Sequence, residues 1–166
     1  MINSDANNYG AEFQVQSSPV EGWDVMFGVS WFNATVKDVP LRINSPLPSR
    51  DVKPNYAPEL QAMGLIRYSW NAMNGKMAVL VNADYSAESY YNLRNFDADK
   101  FDSYTEVNLR WSWTTEDLHW EVALMVNNLT DERVGIQGFD LATLCGCNEI
   151  AFKPPRWYGL NLRYSF

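Results

Sequence analysis

The 166-residue chain has no apolar run near the roughly 20 residues that a membrane-crossing helix needs; its longest, Met77 to Val81 and Val122 to Val126, are five residues each. A transmembrane helix is therefore excluded. Histidine occurs once, at 119, and cysteine twice, at 145 and 147, so neither a four-ligand metal centre nor a spread disulfide framework is available. A glycine-rich phosphate loop, a Gly-x-Ser-x-Gly turn and a histidine pair on a helix are all missing. With them go the common catalytic signatures, and no enzyme and no cofactor are expected. Basic residues number 13 against 20 acidic, giving a net charge of −7; nucleic-acid affinity rests on clustered Lys and Arg, so that partner is not expected. The start, Met1-Ile2-Asn3-Ser4-Asp5, shows neither the basic opening nor the apolar stretch of a secretory signal.

What the chain does have is 46% apolar composition with 7 Trp, 9 Tyr and 8 Phe, enough for an ordered domain. Those residues recur in steps of two, the period of a strand whose faces differ. Trp23, Val25, Phe27, Val29 and Trp31 form one such row. Tyr9, Ala11, Phe13 and Val15 form another, with Gly10, Glu12, Gln14 and Gln16 between them. The pattern returns from Leu60 to Trp70, Met77 to Tyr85, Phe101 to Trp113, Trp120 to Val126 and Tyr158 to Phe166, predicting seven strands, each dry on one face and wet on the other.

Asn74-Gly75 is the preferred dipeptide of a two-residue type I′ turn. Placed at the turn centre, it pairs Met73 with Lys76 and Gly64 with Tyr85, leaving both apolar rows on one side. The connections alternate strictly in length. Ser17 to Gly22, Asn71 to Lys76 and Thr114 to Leu118 are short, whereas Thr35 to Pro58, Ala87 to Lys100 and Leu129 to Pro155 are long. Such segregation is foreign to a soluble sandwich and is the habit of an outer-membrane barrel, with short periplasmic turns and long extracellular loops. Aromatics end the rows as two interfacial girdles would: Trp23, Trp70, Trp113, Trp120, Tyr164 and Phe166 at the short-turn end, and Tyr9, Trp31, Tyr85, Phe101 and Tyr158 at the other.

The expected fold is all-β, an antiparallel transmembrane β-barrel segment touching outer-membrane lipid. Its lumen would be lined by Glu12, Gln14, Gln16, Arg67, Asp84, Glu106, Asn108, Arg110, Glu121, Asn127, Asn161 and Arg163. Their mixed signs suit a solvated interior better than a one-sign selectivity ring. In the Thr35 to Pro58 loop, Lys37, Arg42, Arg50 and Lys53 outnumber Asp38 and Asp51 and would draw an anionic ligand, or contact lipopolysaccharide phosphates. The pairs Asp131-Glu132 and Asp97-x-Asp99 read as solvated loop charge. Cys145-Gly-Cys147 reads as a loop thiol pair, with a bridge stiffening the last loop as the alternative.

The run Trp120-Glu-Val-Ala-Leu-Met-Val-Asn-Asn-Leu-Thr-Asp-Glu132 and the ending Pro154-Pro-Arg-Trp-Tyr-Gly-Leu-Asn-Leu-Arg-Tyr-Ser-Phe166 resemble the C-terminal part of a TonB-dependent outer-membrane receptor barrel. Fainter likeness lies in Gly10 to Pro19, Gly22-Trp23 and Trp31 to Asp38, so that nearly the whole chain is covered. The resemblance implies a 22-stranded barrel with an N-terminal plug, importing a scarce nutrient, most often a ferric siderophore, on energy relayed by TonB from the inner membrane of a Gram-negative bacterium. Residues 1–166 would then be its last seven strands, with plug domain and signal peptide absent, and binding and transport would need the missing parts. Other readings are a porin-like or structural outer-membrane barrel, told apart by an upstream plug, and a soluble aromatic-rich carbohydrate-binding module.

Overall fold

The computed structural model describes residues 4–41 and 48–166. Seven long strands form one antiparallel sheet: β1 (Ala6–Ser17), β2 (Trp23–Pro40), β4 (Leu60–Asn71), β5 (Gly75–Ser86), β8 (Tyr104–Thr115), β9 (Trp120–Asn127) and β12 (Trp157–Tyr164). They lie side by side in chain order, with β1 and β12 as the two edges. Five short strands sit in the long connections: β3 (Ser49–Val52), β6 (Ser89–Tyr90), β7 (Lys100–Phe101), β10 (Gly135–Leu141) and β11 (Cys147–Phe152), with a one-turn helix α1 (Ala142–Cys145) at the tip of the β10–β11 hairpin.

The register confirms the two-faced reading. Residues directly opposite share a face, and one such line runs Val25, Ile66, Val81, Leu109, Val126, Tyr158 across six strands, while the next runs Trp23, Tyr68, Val79, Trp111, Leu124, Leu160. The alternate lines carry Gln14, Gly28, Met63, Asp84 and Glu106, and then Asp24, Arg67, Leu80, Arg110 and Met125. Many of the apolar side chains face outward, with Ile66, Leu124, Leu160 and Leu162 at least half exposed. No second layer covers them among the described residues.

The β4–β5 hairpin differs in register from the sequence expectation. Met73 and Asn74, both with φ of 53°, occupy the turn centre, and Ala72 and Gly75 exchange backbone bonds of 2.9 and 3.1 Å. Trp70 thus faces Met77, and Gly64 faces Ala83 rather than Tyr85. The reason lies on the neighbouring strand: a Cβ on Gly75 would stand 2.8 Å from the Trp113 indole nitrogen and closer still to the Thr114 carbonyl. Gly75 is used for close approach to β8, not for a left-handed turn. The shift amounts to two residues, so every side chain keeps its face.

Two further expectations change. β2 continues past Thr35 to Pro40 and pairs with β3, so the first long loop begins as strand. Phe101 leaves the wall for β7 and is buried. Beyond β12, Phe166 packs edge-on to Tyr164 at 5.0 Å.

Candidate functional site

The polar face and the crown of long loops hold the charged side chains, and both are held by pairing across strands. On the polar face Arg67 donates to Asp24 at 2.9 Å and Arg110 to Glu121 at 3.1 Å across strands, while Asn82 donates to Asp84 at 2.9 Å within β5. Lys153 reaches down from the last loop to Glu106 at 3.1 Å and lies over the Tyr104 ring. Arg163 stands opposite Glu121 in the register. All five polar residues singled out from the sequence, Arg67, Asp84, Glu106, Arg110 and Arg163, fall on this one face. So does an apolar set that the charge pattern concealed: Met26 opposite Leu65, Met63 beside Gly28, Leu80 between Arg67 and Arg110, and Met125 beside Gly159.

On the opposite face the ring-bearing residues touch one another. Trp23 meets Tyr68 at 4.7 Å, Tyr68 stacks on Trp70 at 5.4 Å, and Trp120 meets Tyr164 at 4.7 Å, all near the short turns. Trp113 lies beside Gly75 on the same face. At the other end Tyr9 and Trp31 pack edge-on at 5.5 Å.

The crown has a core of its own. Val39, Val52, Tyr91, Phe101 and Val134 are buried there, drawn from all three long connections. Tyr91 and Phe101 lie 5.2 Å apart, and Tyr56 reaches Phe101 at 5.9 Å. The β10–β11 hairpin lies flat on these rings because Gly135 and Gly138 face them; a Cβ on Gly138 would come within 2.6 Å of Tyr91 and one on Gly135 within 2.7 Å of Phe101. Burial pushes the Tyr91 hydroxyl above the usual tyrosine range, and the Asp99 charge adds to the shift.

Polar staples close the crown. Asn95 accepts from the Lys53 backbone at 2.6 Å and donates back to its carbonyl at 3.0 Å. Arg50 donates to the carbonyls of Arg94 and Asn95, and Arg94 pairs with Asp140. Phe96 sits between the Arg50 and Arg94 guanidiniums, 5.5 and 5.4 Å from its ring centre. A hydrogen bond from Lys100 to Glu88 at 3.3 Å holds the ammonium above the usual lysine range.

The basic residues expected in the first loop are therefore dispersed. Lys37 is exposed on β2, Arg50 staples β3 to the next loop, Lys53 pairs with Glu59 at 3.0 Å, and Arg42 lies outside the described residues. Asp99, expected to be solvated, is 1% exposed and accepts from Asn148 at 3.2 Å. Its burial depends on β11, which no local pattern announces. Asp131 binds Arg156. Cys145 and Cys147 are joined as a disulfide around left-handed Gly146. Among the described residues no cluster of three or more His, Cys, Asp or Glu stands ready for a metal.

A two-faced antiparallel sheet with short turns at one end and a knitted crown at the other is the wall of a membrane barrel. The family model described as TonB dependent receptor-like, beta-barrel, matches residues 1–129. The chain belongs to that family. Its members are outer-membrane transporters of Gram-negative bacteria rather than enzymes. Among solved structures, the chain is similar to the ferric yersiniabactin uptake receptor FyuA of Yersinia pestis, with 16% identity and a TM-score of 0.81 over 98% of this chain and 24% of that one. It is similar also to BauA, the ferric preacinetobactin receptor of Acinetobacter baumannii, at 19% identity and TM-score 0.70, covering 98% and 22%. The siderophore receptor PiuA of the same species gives 15% identity and TM-score 0.77, covering 97% and 22%. The chain thus spans less than a quarter of the length of these receptors, and at such identities the likeness is one of fold. No curated protein matches the chain in sequence.

Proposed function

We propose that this chain is the C-terminal wall of an outer-membrane receptor that imports a ferric siderophore, or a comparable scarce nutrient, under TonB drive. The observation that carries the reading is the apolar set on the polar face: Met26, Met63, Leu65, Leu80 and Met125 alternate with charge there. In a water-filled pore the half-exposed parts of these side chains would remain wet, each forgoing a share of the about 1.5–3 kcal/mol that full burial brings. Facing a plug domain, they are covered. That favours a plugged receptor over an open porin.

In this reading Arg67, Asp84, Glu106, Arg110 and Arg163 line the lumen, and their pairing leaves it nearly neutral. Trp23, Trp70, Trp113, Trp120 and Phe166 form the periplasmic girdle against lipid, where amphipathic rings rest. The positive charge of Lys37 and Arg42 draws an anionic chelate, while Arg50 and Lys53 hold β3 and the segment after it. The yersiniabactin and preacinetobactin receptors among its structural neighbours support iron-chelate chemistry.

Two measurements on the full-length receptor test this. In planar bilayers it should show no steady open conductance, and a persistent ohmic channel would favour the porin instead. Iron-limited cells should take up a labelled ferric siderophore only with both the receptor and TonB present; uptake indifferent to TonB would refute the coupling.

A further inference from the structure

One buried charge in the crown lacks a counterpart. Asp99 ends a single 3₁₀ turn, Asp97–Asp99, just before β7. Its Oδ1 accepts from Asn148, but its Oδ2, equally buried, accepts no hydrogen bond among the described residues. No Lys, Arg or His described pairs with it either. Lys100, next in the chain, reaches Glu88 at 3.3 Å and Asp102 at 3.8 Å, and Arg94 is committed to Asp140. The Tyr91 hydroxyl, held protonated by burial and by the Asp99 charge, gives its proton to the Ala98 carbonyl. A dry carboxylate with one oxygen unpartnered is costly to keep charged, which points to a partner from outside these residues.

There is room for one. Asp99 lines a hollow of about 370 Å³ between residues 94–99 and the tip of the β10–β11 hairpin, with Arg94 and Phe96 on one side and Asp140 and Asn148 on the other. Asn148 spends its Nδ2 on the Ala98 carbonyl at 3.0 Å and on Asp99 Oδ1 at 3.2 Å, leaving its carboxamide oxygen to accept. Asp140 adds a second carboxylate, whose charge Arg94 cancels, so the walls keep one net negative charge. Thiolate and imidazole are missing: Cys145 and Cys147 are joined as a disulfide, and His119 lies in the β8–β9 turn at the far end of the sheet. Oxygen donors around a negative charge select a hard cation, calcium or magnesium, over zinc or copper. With few protein oxygens on offer, water completes the coordination and the affinity is modest.

We propose that Asp99 anchors a divalent-cation site in this hollow, the ion held by Asp99 Oδ2, the Asn148 oxygen and water, and clamping β11 to the segment that precedes β7. The refolded full-length receptor, stripped with a chelator, is titrated with calcium or magnesium while hydrogen exchange is read at the β10–β11 amides. At a dissociation constant of about 1 mM, about 10 mM of the bound ion should slow opening of the hairpin roughly tenfold. The two titrations tell calcium from magnesium, and sodium at equal ionic strength should change nothing. Asp99→Asn keeps the shape and removes the charge; in chelator it should exchange no faster than wild type, and it should lose the response to the ion. Glu149→Gln, opposite Phe139 on the hairpin face turned away from Tyr91, should keep that response. Exchange indifferent to both divalent ions overturns the proposal, leaving water as the partner of Asp99. Equal slowing in Asp99→Asn, or by sodium, overturns it as unspecific binding or screening. Faster exchange of Asp99→Asn in chelator overturns it too, since the charge would then be balanced within the receptor itself.

Discussion

Gly138 is where the last loop is fastened to the crown, and Gly138→Ala loads that fastening most directly. The added methyl would meet the buried Tyr91 ring at separations no carbon pair sustains, with 2.6 Å to its Cε1. Tyr91 has little room to yield, being 5% exposed, packed on Phe101, and donating its hydroxyl to the Ala98 carbonyl at 2.8 Å. Overpacking of this kind costs about 1–3 kcal/mol, and at about 1.4 kcal/mol per factor of ten the hairpin's opening constant should rise roughly 5- to 150-fold. Native-state hydrogen exchange on the refolded full-length receptor reads that constant from the β10–β11 amides. Gly64→Ala is the matched control, because nothing lies within 4 Å of its Cβ position and a strand glycine replaced by alanine gains about 0.5–1 kcal/mol. Adding Tyr91→Ala to Gly138→Ala should relieve the clash and give a positive coupling in a double-mutant cycle. Exchange in Gly138→Ala no faster than in wild type would refute the packing of this hairpin on Tyr91.

Asn128 is buried with φ of 53°, donates to the Glu132 carbonyl at 2.9 Å and accepts from the Glu132 backbone at 2.9 Å. Asn128→Ala should cost about 2–4 kcal/mol through lost bonds and backbone conformation, read as faster proteolysis between residues 129 and 156. In the β8–β9 turn, hydrogen bonds from Thr115 and from the His119 backbone hold the Asp117 carboxyl below the usual aspartate range. Its folded value is depressed, so its contribution is present at neutral pH and disappears as acid carries the pH down through that lowered value; Thr115→Ala should move the Asp117 titration upward by NMR. Expressed alone, residues 1–166 expose two unpaired edges, β1 and β12, and should aggregate on refolding into detergent. A monodisperse, heat-resistant β-rich species would contradict that.

The wall was legible because its code is local. A period of two over eight to twelve residues needs no partner to be recognised, and Val25, Ile66, Val81 and Leu109 share a line across the sheet as their rows imply. The turn at Asn74-Gly75 was located but misplaced by one position, since the dipeptide satisfies two registers and Thr114, forty residues onward, chooses between them. Met26, Met63 and Leu65 form a set only when β2 and β4 pair, because that register sets Met26 opposite Leu65 and Met63 opposite Gly28 on the polar face. Arg50 carried charge in the sequence, but the Arg94 and Asn95 carbonyls that engage it lie on another connection, and Lys53 is taken up by Glu59 six residues on.

Period-two alternation, the segregation of turn lengths and the aromatic row ends were enough by themselves to specify a two-faced antiparallel wall with a membrane on one side, because each is a property of a single strand or turn. The crown was decided only in three dimensions. Val39, Tyr91, Phe101 and Val134 are scattered through three loops without periodicity, and they become a core, burying Asp99 beside them, only when strand pairing brings those loops to the same end of the sheet.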